Sequence, residues 1–116
     1  MTLQETIDAV REWGKAKGIT GPNGKGTLLG QLAKTQEELT ETRDAAIKWL
    51  LSEPVLRSPY SQEMKRQLMD GYGDQVVTII LGCEIAGLRF EDCLAAAYDE
   101  IKGRTGRMEG GVFIRD

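Results

Sequence analysis

Apolar positions recur along the chain at the three-and-four spacing of amphipathic helices. Leu3, Ile7, Val10 and Gly14 step by four, three and four, with Glu5, Asp8, Arg11 and Glu12 turned elsewhere, which predicts a first helix stopping near Gly18. Ile19 to Gly26 reads ITGPNGKG, and its Gly21-Pro22, Asn23-Gly24 and Gly26 disfavour both helix and strand, so a flexible loop is expected. From Thr27 to about Leu51 there is no Pro and no Gly after Gly30, while Leu28, Leu32, Leu39, Ala46 and Leu50 recur at helical spacing, predicting a long second helix. Ser52 to Tyr60 carries Pro54 and Pro59 and reads as an irregular connection or a short broken helix. A third helix is predicted from Ser61 or Gln62 to Ala86. Gly71 and Gly73 weaken its middle by about 1 kcal/mol each relative to Ala, a cost that some packing should offset. Its second half, VVTIILGCEIAG, is apolar nearly all round, as expected of the central helix or of one facing a second subunit as well. The last helix should begin near Phe90 to Asp92, show Leu94, Ala97, Tyr98 and Ile101 on one side, and stop at Gly103. In the tail RTGRMEGGVFIRD, the VFI triplet suits a short strand or a contact with a neighbour.

Four helices in 116 residues predict one all-α domain, a four-helix bundle-like unit over residues 1–116. Small bundles with exposed apolar seams complete their core by self-association, so an oligomer is expected. A net charge of −3 supplies no field that would favour a nucleic-acid backbone, and no basic stripe is interleaved with aromatics; no nucleic-acid partner is expected. The absence of histidine excludes Ser-His-Asp and Cys-His catalysis and His-ligated zinc. Cys83 and Cys93, ten apart in apolar surroundings, fit neither CxxC nor a disulfide framework and read as reduced core residues. The charged N-terminal turns and short apolar runs predict neither a signal peptide nor a membrane span, hence no membrane partner and a cytoplasmic location.

Two features invite chemistry. GPNGKGT has the look of a phosphate loop, but GxxxxGK[ST] would require Gly at position 19 and Ser or Thr at 26, where the chain has Ile19 and Gly26. The carboxylates are more informative. Glu37, Glu38 and Glu41 share a face of the second helix, and such a stripe is most often simply solvated. Asp70 and Asp74, one turn apart on the third helix, lie on a stripe continued by Val77 and Leu81, so they should point toward apolar packing, where an unpaired carboxylate is costly. If the two helices pack antiparallel, the acidic faces meet in a cage of hard oxygen ligands suited to Mg²⁺ or Mn²⁺.

Glu37-Glu38-Leu39-Thr40-Glu41, then Gly73-Asp74-Gln75-Val76-Val77, then Ala97-Tyr98-Asp99-Glu100-Ile101-Lys102-Gly103-Arg104 together resemble the MazG-like all-α nucleoside triphosphate pyrophosphohydrolases. The resemblance covers about residues 28–115 and is to the single-domain type common in phages and bacteria, whose tail also reads like Gly106-Arg107-Met108 and Gly111-Val112-Phe113. It implies a MazG fold completed as a homodimer or homotetramer, and hydrolysis of a (deoxy)nucleoside triphosphate to monophosphate and pyrophosphate in nucleotide-pool control. The phage-like form tilts the expected substrate toward purine deoxynucleotides and the expected source toward a phage-encoded protein. Glu38, Glu41 and Asp74 match its metal motif for Mg²⁺, with Mn²⁺ as a substitute. The motif's E-x-x-D would put Glu at position 71; this chain has Gly71, and Asp70 is the nearest replacement, ligating directly or through water. Metal would neutralise the triphosphate and align it for in-line attack, with Glu37 or Glu38 as general base. Lys102 and Arg104 match phosphate-touching positions, or simply complement the end of the last helix. Lys34 is a candidate phosphate contact or an ordinary partner of Glu38. Trp13 and Tyr98 are candidates to stack on a base, against the commoner role of core aromatics, and Asp99 stands where relatives often have Asn. The same cage would serve dUTPase-like or phosphoribosyl-ATP pyrophosphatase activity. The rival class is a non-enzymatic helical interaction protein with a solvated acidic stripe.

Overall fold

Thr2 starts the first helix: its hydroxyl accepts from the Glu5 backbone N–H at 3.0 Å while the Glu5 carboxylate accepts from the Thr2 N–H at 2.9 Å, a complete capping box. The computed structural model describes residues 1–51 and 59–116, with side chains from 61 onward in the second stretch. In it the helices are α1 (Leu3–Ala16), α2 (Leu28–Leu51), α3 (Pro59–Ala86) and α4 (Phe90–Ile101), followed by the strands β1 (Gly106–Glu109) and β2 (Val112–Arg115). The connection expected around Pro54 lies outside the described residues. No helix among the described residues is long and apolar enough to cross a membrane.

The glycine-rich segment is a tighter structure than a flexible turn. Lys25 N–H donates to Gly18 O and Gly26 N–H to Ile19 O, both at 2.9 Å, folding the loop back on the end of α1. Thr27 then opens α2, its hydroxyl accepting from the Gly30 N–H at 3.0 Å. At the far end of α3, Gly87 (φ 73°) turns the chain, and Leu88 N–H reaches Cys83 O at 2.8 Å in a Schellman-type stop. Gly110 and Gly111, both at positive φ, close a two-residue hairpin turn that pairs Met108 with Phe113.

Helix α3 is central, packing against α1, α2 and α4. It runs antiparallel to α2, since Thr35 meets Thr78 (Oγ1 to Oγ1, 2.7 Å) and Thr42 Oγ1 accepts from Gln75 Nε2 at 2.9 Å. The seam between them is small and polar: Thr42 and Ala45 are buried on α2, and Gly71 is buried against Thr42. A Cβ at position 71 would run into the Thr42 side chain, whereas one at 73 would meet nothing within 4 Å. Close approach is therefore what offsets the helix cost at Gly71. Gly71→Ala is expected to lower stability by about 1–2 kcal/mol through overpacking. Gly73→Ala is expected to raise it by up to about 1 kcal/mol through helix propensity. Urea midpoints at unchanged m-value would measure both.

The apolar stripe expected to form the core of α2 lies elsewhere: Leu28, Leu32, Leu39 and Leu50 are exposed. So are Leu94, Tyr98 and Ile101 of α4, a helix with no buried residue. The buried apolar set among the described residues is only Ile7, Ala45, Met64, Ile80 and Leu81. Among the described residues the hairpin packs on no helix, and Val112 and Phe113 remain exposed. Total accessible surface is 8618 Å², against about 6,300 Å² for a compact monomer of this mass.

Arg11 ties three helices together. Its guanidinium is buried and donates to Asp8 (3.0 Å) on α1, Glu84 (3.0 Å) on α3, and both carboxylate oxygens of Glu91 on α4. The two thiols are free, as expected, but Cys93 is exposed and Cys83 half-buried, so neither is a core residue.

Candidate functional site

Antiparallel pairing of α2 and α3 brings the two acidic segments to one level. Glu38 and Glu41, one turn apart on α2, face Asp70 and Asp74, one turn apart on α3, across a cleft of about 200 Å³ floored by Gly71. Burial is not where the spacing alone placed it. Asp70 and Asp74 are exposed, because their stripe on α3 runs along the edge of the narrow seam, and Glu38 is the carboxylate drawn inward. Its Oε2 is buried without a hydrogen-bond partner. Burial pushes the Glu38 carboxyl above the ordinary range, and the nearby charges of Glu41 and Asp74 add to the effect while Lys34 opposes it.

Glu38, Glu41 and Asp74 are thus the side chains that could hold a hard cation. As placed, no group of three Asp, Glu or Cys among the described residues closes into a coordination shell. Asp70 is engaged by Arg66 at 3.2 Å on the outer surface. The packing also accounts for Gly71 at the position where the resemblance would put Glu. That position lies against Thr42, whose hydroxyl donates to Glu38 O at 2.7 Å, so it serves helix approach.

Glu38 and Asp74 also line a second, larger cavity of about 470 Å³ formed by α1, the glycine-rich loop, α2 and α3. Its walls include Trp13, Ile19, Gly26, Thr27, Gln31 and Lys34. Trp13 is half exposed there and is not a core aromatic. Lys34 bonds to Glu37 at 3.2 Å, and Glu37 is the main cause of its raised pKa, with Glu38 and Glu41 contributing less. Glu37 itself lines neither cavity, so the three glutamates expected on one face divide between cleft and solvent.

The remaining sequence candidates lie apart. Tyr98 borders a different groove with Leu3, Phe90 and Leu94. Lys102 pairs with Asp99 at 3.1 Å and Arg104 with Glu100 at 3.8 Å, and none of these lines the acidic cleft or the adjoining cavity. Gln67 and Gln31, which do line them, were not singled out by the sequence. Their signal was spacing: each stands one heptad before a site carboxylate, Gln31 before Glu38 and Gln67 before Asp74. Compared with known proteins, the chain matches no family model, no curated protein and no solved structure.

Proposed function

We propose that the protein is a Mg²⁺-dependent nucleoside triphosphate pyrophosphohydrolase with a MazG-like fold, acting as a homodimer or homotetramer in nucleotide-pool control. The observation that carries this reading is the shared wall of the two cavities: Glu38 and Asp74 face the acidic cleft on one side and the Trp13–Lys34 cavity on the other. A metal-bound triphosphate needs that juxtaposition of hard oxygen ligands, a cation and an aromatic surface. The donor set fits Mg²⁺ or Mn²⁺, since it is wholly carboxylate and includes the orphaned buried Glu38 oxygen. The ion, when bound, supplies charge neutralisation of the phosphates and of the departing pyrophosphate.

The chain's own residues supply the rest. Glu38, the carboxylate drawn into the cleft, accepts the proton of the water attacking the α phosphorus; Glu37 lines neither cavity. Lys34 exchanges Glu37 for a phosphate oxygen, and Trp13 offers its face to the base. Asp70 joins the ligand set on leaving Arg66, directly or through water. Tyr98, Asp99, Lys102 and Arg104 enter the reading only through the assembled oligomer. Self-association is supported by surface: the excess of about 2,300 Å² over a compact monomer matches what one chain buries in a large obligate interface, and the exposed leucines of α2 and the uncovered hairpin would provide it. Purine deoxynucleotides are the favoured substrates, with dUTPase-like or phosphoribosyl-ATP pyrophosphatase activity the near alternatives on the same residues.

The test is incubation with each NTP and dNTP in Mg²⁺, with products separated by chromatography. Monophosphate plus pyrophosphate is expected, together with a rise in melting temperature on adding Mg²⁺ without nucleotide. An ion binding only the folded state at a hundred times its dissociation constant contributes about 2.7 kcal/mol. Diphosphate plus orthophosphate would mean another phosphohydrolase. No turnover and no thermal shift would leave the helical interaction protein.

A further inference from the structure

Helix α4 is held to the rest of the chain by little. None of its residues is buried, and its ion-pair anchor is Glu91 on Arg11. Beside that anchor, Cys93 Sγ on α4 lies 4.0 Å from Cys83 Sγ on α3, across the Gly87 turn. A disulfide requires about 2.05 Å, so the two sulfurs need to close by about 2 Å. Rotation of an exposed side chain on a loosely held helix provides that movement without disturbing the α2–α3 seam.

We propose that Cys83 and Cys93 form a reversible disulfide that latches α4 onto α3, with a low-molecular-weight disulfide as oxidant. Cys93, being exposed, meets the oxidant first. Its thiolate attacks one sulfur, forming a mixed disulfide and releasing one thiolate. The Cys83 thiolate then attacks Cys93 Sγ, forming the Sγ–Sγ bond and expelling the second thiolate. The two cysteine protons end on the two released thiols; the protein pair is oxidised by two electrons and the small disulfide reduced. Burial, the neighbouring Cys93 thiol and Glu84 hold the Cys83 thiol above its ordinary pKa, so the second step quickens as pH rises.

The test treats the full chain with oxidised glutathione and follows thiol count, intact mass and melting temperature. The expected result is loss of both thiols, a mass lower by two hydrogens with no attached glutathione, and a melting temperature raised by about 5–10 °C, all reversed by dithiothreitol. Cys83→Ser should instead accumulate a glutathione adduct on Cys93 with no thermal gain. Stable glutathionylation of Cys93 in the unsubstituted protein, chains crosslinked to each other, or an intrachain disulfide with unchanged melting temperature would each overturn the latch.

Discussion

Glu38→Gln is expected to lower pyrophosphohydrolysis by at least about a hundredfold, the scale of a lost general base. At the same time it should leave the protein folded and, at neutral pH without divalent cations, more stable. The two effects have one cause. Glu38 is the inward carboxylate of the cleft, its Oε2 buried without a partner and its proton held more tightly than in the unfolded chain. For a carboxyl whose folded pKa is raised, the favourable contribution is present in full below the unfolded value and is lost as pH rises through the folded one. The neutral amide removes the penalty that the ionised group carries at pH 7. The gain in melting temperature of the variant over the natural protein should therefore be largest near neutrality and shrink as pH falls through the carboxylate range. Product chromatography measures the first effect and thermal melts across pH the second. Retained turnover would remove Glu38 from the reaction, and a gap that does not change with pH would mean that its carboxyl is not the strained group.

The largest loss of stability is expected from Arg11→Met, which keeps much of the stem and removes the guanidinium. Glu84 would be left half-buried with no ion-pair partner among the described residues, and Glu91 with only the exposed Arg89, 2.8 Å away at the start of its own helix. Removing one partner from a buried ion-pair network costs about 3 kcal/mol. Hydrogen bonds from Arg11 first, and from Gln4 second, hold the Glu91 carboxyl well below the usual carboxylate range. A depressed carboxyl contributes stability above its unfolded pKa and loses that contribution as pH falls toward the folded one. The difference between natural protein and variant, read from denaturant midpoints, should be full at pH 7 and narrow steadily below the ordinary carboxylate pKa. A difference that persisted unchanged into strong acid would assign it to packing of the Arg11 stem.

Much of the fold is legible in the chain because helices are local. Thr2 and Glu5 cap α1, Thr27 opens α2, Gly87 stops α3, and each signal acts within a few residues of where it stands. The Gly110-Gly111 turn, by contrast, completed a hairpin from a triplet that by itself indicated only a short strand. The candidate site was legible in part for the same reason. Glu38 with Glu41, and Asp70 with Asp74, are neighbours by helical geometry before any packing occurs.

What periodicity could not supply is which face meets which. The leucine stripe of α2 is the more apolar face, yet Gln31, Thr35, Glu38, Thr42 and Ala45 turn toward α3, because Gly71 lets the backbones approach there and the hydroxyls of Thr35, Thr42 and Thr78 hydrogen-bond across or along the seam. That choice decided that Glu38 is half-buried with its Oε2 inaccessible while Asp70 and Asp74 stay at the edge, that Glu37 falls outside, and that Trp13 and the glycine-rich loop enclose a cavity against Glu38 and Asp74. The sequence by itself determined the helices, their ends and the pairs of carboxylates one turn apart, since all of these depend on contacts within a few residues. Only the tertiary structure decided which carboxylate loses its water and what stands opposite it, since desolvation depends on residues far away in the chain.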